Sequence, residues 1–263
     1  RTNSMFDIAN YYSMHPVLLD EHFRSLPPII NFSNREFYGN RIRVMRQNNP
    51  NDKILEIVHV PDGKVDYDAT RNLPEIEALV KRVHEIIVDN ERENPDNPIT
   101  IGIISPFRAQ VEQLKISLSK VISDYMMEKH KIEIGTAHTF QGDERDIILI
   151  SWAFANNSFP QSLTFLQKPN LFNVAVTRAK NKMINFVSKD FTDLPDGLFR
   201  SYLSYIKEYD EKHEKIINKE LDENTYKNSF EREVAETLRD LGYEIQAGIG
   251  RAHVWTPVTD VSR

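Results

Sequence analysis

The 263-residue sequence has no cysteine, so neither a disulfide framework nor a thiolate metal site is open to it. No apolar run approaches the ~18 residues of a membrane span, and the opening Arg1-Thr2-Asn3-Ser4 does not read as a signal peptide. These absences point to a cytoplasmic protein with no membrane partner, and a start at Arg1 rather than Met marks a fragment. There is no G-x-x-x-x-G-K-[ST] loop and no acidic pair closing a strand. The chain therefore lacks a phosphate cradle and magnesium-holding carboxylates of that type. Basic residues are not in excess either. A net charge of -6 argues against a surface coated all round by nucleic acid, but it leaves room for a local basic groove. What is present is ordinary for a globular protein: 40% hydrophobic and 27% charged residues, over a length that fits one large domain and part of a second.

Strand and helix patterns alternate along the first 190 positions. Residues 5–23 are partly helical, broken at His15-Pro16. Pro27-Pro28 starts a short helix with Ile29, Ile30, Phe32 and Phe37 on its apolar face, and Arg24 lies in the loop before it. Strands are expected at 54–60, 99–104, 131–136, 147–152 and 183–187. Helices are expected from Leu73 to about Asn90, after Arg108, and from Leu171 to the basic run Lys180-Asn181-Lys182. Residues 156–169 read as an irregular surface insertion. Strands joined by helices of this length predict an α/β fold, a parallel sheet with helices on both faces. From Leu198 to Glu223 the pattern is a charged helix with Tyr202, Tyr205, Ile206 and Tyr209 on one side, a connector packed along one face.

The chemistry concentrates in three polar segments. The central one, His138-Thr139-Phe140-Gln141-Gly142-Asp143-Glu144-Arg145-Asp146, precedes the apolar run Ile147 to Ile150. Polar loops at the ends of such strands are where open α/β sheets bind ligands. The other two carry Arg24 and Arg178. A guanidinium is permanently charged and offers a planar fork of donors suited to a terminal phosphate. Arg24 also reads as a solvated surface arginine, and Arg178 as a salt-bridge partner on a helix end. Phe23 suits stacking on a base or burial in the core. Glu144 could accept hydrogen bonds from a ribose. Thr136, His138 and Thr139 line the same junction and suit backbone phosphates of a nucleic-acid strand, although a lone histidine is more often a satisfied loop residue.

Taken together, these segments resemble motifs of superfamily 1 helicases, of the branch containing the Upf1-like and Dna2-like enzymes. Glu21-His22-Phe23-Arg24, with Phe32-Ser33-Asn34 and Phe37-Tyr38 behind it, resembles the segment that opens the second motor domain. Ile101 to Gln110 resembles motif IV, Thr136 to Glu144 motif V, and Asn173 to Lys180 motif VI. The earlier Tyr12-Ser13-Met14-His15-Pro16 imitates the opening segment but has Ser13 where the arginine belongs.

The resemblance implies a RecA-like fold of the P-loop NTPase type over residues 1–190. It would be the second motor domain, without Walker A or B motifs, of an ATP-dependent 5′-to-3′ DNA helicase. It also implies that Arg24 and Arg178 contact the γ-phosphate, that Phe23 packs on adenine, and that Gln141 and Gly142 shape the loop. Glu144 would meet the ribose, and Thr136, His138 and Thr139 the bound strand. ATP and Mg²⁺ would be held chiefly by an N-terminal RecA-like domain of the same full-length chain, with single-stranded DNA as the partner. This chain alone would then be inactive and carry no metal site. The alternatives are a non-catalytic nucleic-acid-binding α/β module and the loader domain of a helicase-nuclease. Residues 191–227 read as a helical connector. Residues 228–248 resemble the truncated start of a restriction-endonuclease-like domain, and 249–263 resemble a translated sequencing adapter of non-native origin.

Overall fold

The computed structural model describes residues 11–12, 19–66 and 70–225, together with Thr237, Ile245–Gln246 and His253–Val254. The expectations for the break at His15-Pro16 and for most of residues 228–263 fall outside the described residues. In chain order the elements are β1 (Glu21–His22), α1 (Pro27–Tyr38), β2 (Arg43–Val44), β3 (Leu55–His59), α2 (Leu73–Glu93) and β4 (Ile101–Ile104). They continue with α3 (Arg108–Ser119), α4 (Asp124–Lys129), β5 (Glu133–Gly135), β6 (Arg145–Ser151), α5 (Pro160–Leu166), α6 (Pro169–Val176), β7 (Ala179–Val187) and α7 (Leu198–Thr225). Five strands form one sheet in the order β3-β7-β6-β4-β5, every neighbouring pair parallel. β1 and β2 make a separate two-stranded parallel ribbon.

Side chains alternate between the two faces of the sheet with the strand period of two, and each set has its own helices. Ile148 and Ile150 of β6, with Met183 and Val187 of β7, pack with α1, α6 and the start of α7 through Ile29, Phe32, Phe172, Phe199 and Tyr202. Ile147, Leu149, Ile184 and Phe186 face the other way, against Ile76, Leu79 and Val83 of α2 and Val111, Leu114 and Leu118 of α3. The expected α/β architecture, a parallel sheet covered on both faces, is the one observed. No helix among the described residues is long and apolar enough to cross a membrane.

The helix starts have local causes. Pro27 and Pro28 occupy the first turn of α1, where a missing N–H costs nothing, and Gly39 ends that helix in the left-handed conformation at φ 58°. Asn72 caps α2 by accepting a hydrogen bond from the Glu75 N–H.

Two expectations need correction. The helix after Leu171 starts earlier, at Pro169, and stops at Val176, so Lys180-Asn181-Lys182 lies in strand β7 rather than at a helix end. Thr177 terminates the helix, its hydroxyl donating to the Asn173 carbonyl at 2.8 Å. The supposed irregular insertion contains α5, started by Pro160 and anchored by buried Leu166.

Candidate functional site

β7 and β6 begin side by side, Arg145 pairing with Ala179. The three polar segments of the sequence are stitched together at this amino edge of the sheet. The Ser25 hydroxyl donates to the Ala179 carbonyl at 2.7 Å, and the Leu26 N–H donates to that of Lys180 at 3.0 Å. The Arg145 N–H donates to the Arg178 carbonyl at 3.2 Å. Asn173 donates to the Tyr38 hydroxyl at 3.0 Å, tying the first segment to the third. Arg46, which no motif or pattern singles out, bonds the Lys180 carbonyl at 3.0 Å and Asn181 at 2.8 Å while holding the Arg24 carbonyl.

Arg24, Glu144 and Arg178 are thereby brought together. The Arg24 Nε–H donates to Glu144 Oε2 at 2.5 Å, although the two residues are 120 positions apart. Lys180 Nζ lies 3.8 Å from Glu144 and 3.6 Å from Asp146. Arg178 is braced by backbone instead: Nε donates to the Val174 carbonyl at 2.9 Å, and Nη1 reaches those of Phe140 and Asp143 at 3.5 Å. Burial pushes the Arg178 pKa down, and the neighbouring Arg24 charge adds to this. The two guanidinium groups therefore sense one another. His22, beside them, is also depressed, first by burial and then by Arg24. Its Nε2 accepts the Ser25 N–H at 3.0 Å, which requires the unprotonated nitrogen. Phe23 projects outward, 64% exposed.

Thr136, His138 and Thr139 are not part of this cluster. Gly135 pairs with Ile104, and Ile104 with Ile150, at the carboxyl ends of their strands. Glu144 precedes Ile150 by six residues, which at ~3.3 Å per residue sets the two ends of the segment on the order of 20 Å apart. The segment crosses the sheet face between them. Phe140, fully buried, lies over Gly102 of β4, where an added Cβ would come within 2.8 Å of its ring. Gln141 and Gly142 are exposed beyond it, and Gly142 takes φ +89°, a conformation that favours glycine. At the carboxyl end Thr136, His138 and Thr139 line a groove of about 920 Å³, joined by Phe107, Arg108 and Lys168. The last three were not among the residues singled out. Phe107 and Phe165 pack at 5.8 Å between ring centres, and Lys168 sits 4.8 Å over Phe165. Among the described residues no group of three or more histidine, aspartate or glutamate side chains could hold a metal ion.

Comparison with known proteins bears on this arrangement. A family described as an AAA domain matches residues 2–190. The chain belongs to that family. It is similar to the helicase mov-10-B.2 of Danio rerio, 29% identical over 187 residues, covering 62% of this chain and 18% of that protein. Helicase sen1 of Schizosaccharomyces pombe is 28% identical over 193 residues, covering 67% of this chain and 11% of the relative. The DNA replication ATP-dependent helicase/nuclease DNA2 of Gallus gallus is 30% identical over 208 residues, 64% and 20% respectively. The chain thus spans a fifth or less of the length of these relatives. This AAA-family chain is a superfamily 1-like helicase domain of RecA-like fold, distantly related to the Upf1, Dna2 and Sen1 types.

Proposed function

We propose that residues 1–190 are the second motor domain of an ATP-dependent 5′-to-3′ superfamily 1 DNA helicase, completed by an N-terminal RecA-like domain. The observation that carries this reading is the meeting of Arg24, Glu144 and Arg178 at one edge of a parallel sheet. Two cations close enough for one to lower the pKa of the other favour an anion beside them, and a terminal phosphate has the right charge and oxygen geometry. Arg178 is oriented beforehand by the Val174 carbonyl at Nε, while its Nη1 contacts at 3.5 Å are long enough to be exchanged for phosphate oxygens. Exposed Phe23 offers an aromatic face to the adenine, and Glu144 an acceptor for ribose hydroxyls. ATP with Mg²⁺, bound mainly by the N-terminal domain, supplies the phosphoryl-transfer chemistry. The residues of this chain orient the nucleotide and stabilise charge on it.

The groove at the far end of the segment supports the second half of the function. Thr136, His138 and Thr139, with cationic Arg108 and Lys168, suit the backbone of a single strand. DNA is the proposed strand because the DNA2 relative is named for DNA replication.

The test is Arg178→Ala in the full-length protein, assayed for DNA-stimulated ATP turnover. An arginine meeting the transferred phosphate is worth roughly a thousand-fold or more. Unchanged turnover would remove Arg178 from the site.

A further inference from the structure

We infer that Glu144 is a keeper for Arg24, which holds this arginine out of service until a ribose draws the carboxylate away. The inference rests on the motor reading above and adds a gate to it.

In this structure the Arg24 guanidinium is engaged by the residue proposed to bind the ribose. The Nε–H of Arg24 is committed to Glu144, so a phosphate that takes this donor together with the Nη groups must first displace the carboxylate. Both backbones are pinned. The Arg24 carbonyl accepts from Arg46, the Glu144 N–H donates to Asp143 Oδ1 at 2.8 Å, and the Glu144 carbonyl accepts from Arg145 Nη1 at 2.9 Å. Only the side chains are free to exchange partners. They are 31% and 41% exposed, so water and an incoming ligand both reach the pair. A half-exposed pair of this kind is weak enough to be traded for other contacts.

Charge supplies the direction. Arg178 already senses the Arg24 cation, and the Glu144 anion opposes that effect. With Glu144 in place one of the two guanidinium charges is offset, and the pull on an anion is reduced. Once Glu144 turns to a ribose hydroxyl, Arg24 loses its nearest counter-ion, which favours a γ-phosphate beside it. Lys180, 3.8 Å from Glu144 Oε1, gives the departing carboxylate a cation to pivot on. The cluster would therefore respond to a triphosphate carrying ribose hydroxyls and resist one lacking them.

The full-length helicase carrying Glu144→Gln tests this, with ATP and 2′,3′-dideoxy-ATP compared by kcat/KM. Loss of the keeper should raise turnover of the dideoxy nucleotide about two- to five-fold above wild type, the range such an exposed ion pair commands. A Glu144 that served only as a ribose ligand would leave dideoxy turnover unchanged, and that result overturns the keeper. In the wild-type protein, ¹⁵N NMR should show the Arg24 Nε–H losing protection from solvent exchange when a non-hydrolysable ATP analogue is added, and keeping it with inorganic tripolyphosphate. Equal response to both ligands also overturns the keeper. If Arg24→Ala and Arg178→Ala both retain full ATP turnover, the motor reading itself fails, an outcome separate from either of these.

Discussion

Glu75 is the most exacting test of the fold. It sits in the first turn of α2, fully buried, with donors on all sides. Ser188 donates to Oε1 at 2.6 Å and Asn72 at 3.1 Å, while Ser151 and the Ala153 N–H donate to Oε2 at 2.7 and 2.9 Å. Gln110 closes the network by donating to Ser151 at 2.8 Å and accepting the Asn72 N–H at 2.8 Å. Desolvation is the largest influence on Glu75, and despite the four donors it pushes the pKa up to about 7 from an ordinary 4.5. Between these two values the folded chain keeps a proton that the unfolded chain has released. Stability therefore falls as pH rises through that window, the reverse of the usual carboxylate behaviour. At ~1.4 kcal/mol per pH unit the loss is about 3 kcal/mol.

The perturbation is Glu75→Gln, which keeps the shape and cannot ionise. Urea unfolding of both proteins, followed by fluorescence of buried Trp152, gives their stability difference from about pH 5 to about pH 8. Titrations common to both chains cancel in that difference. Wild type minus variant should fall by about 3 kcal/mol over this range. At the acid end wild type should be the more stable, because the amide presents two N–H donors where protonated Glu75 presents a single O–H, a mismatch worth about 1–3 kcal/mol. A difference that is flat, or that grows with pH, would show that the hydrogen bonds outweigh burial and would refute the reasoning.

Trp152→Ala should cost about 3–5 kcal/mol in the same unfolding assay, read by circular dichroism. The ring packs against Phe172 and Phe199 at 5.2 and 4.8 Å, and its loss removes the indole N–H that Asn185 Oδ1 accepts in the core. In Gly135→Ala the new methyl lies 2.5 Å from the Thr139 side chain, so the turn at 136–139 must shift. A loss of about 1–3 kcal/mol is expected, together with weaker single-strand binding by the full-length protein in a fluorescence-anisotropy titration. His22 has a folded pKa below its ordinary 6.5, so its contribution is present above that value and lost as pH falls beneath it. The stability of wild type relative to His22→Gln should decline on acidification from about pH 7 to about pH 5.

The sequence announced the parts of the fold that are apolar on a regular period, and it was silent where charge or brevity hides the pattern. β4 and the core of β6 read as strands because sheet centres are apolar on both faces. The first half of β7 did not. Its Ala179-Lys180-Asn181-Lys182 looks like the charged end of a helix, yet Ala179 is buried and the three polar residues run along the sheet edge, where Lys182 pairs with Glu56 at 3.1 Å and Lys180 with Asp146. Cations with carboxylate partners on neighbouring strands can lie in a strand without a buried face, and no single-chain periodicity records those partners. α4 and α5 are six and seven residues long, too short for a helical stripe to declare itself.

The site was legible in composition and not in extent. Arg24, Glu144 and Arg178 were named from motif chemistry, and pairing across 120 positions could only come from the fold. The grouping of His138 with Glu144 was a natural error, because nine mostly polar residues between two strands look like one compact loop. Its cause lies in strand order. β5 is the edge strand and β6 lies beyond β4, so a chain leaving the carboxyl end of β5 must cross β4 to reach the amino end of β6. Gly102 leaves the room for that crossing, and Phe140 fills it with no exposed surface. A side chain so enclosed fixes the segment at its midpoint. The positions of Glu144 at one end and of Thr136 and His138 at the other are therefore set by the sheet beneath them rather than by each other. A nucleotide at the first edge and a strand in the far groove would meet opposite ends of one braced segment. Gly102→Ala, which forces Phe140 or Ile148 aside, would then disturb both ends at once, whereas a compact loop would confine the change to one.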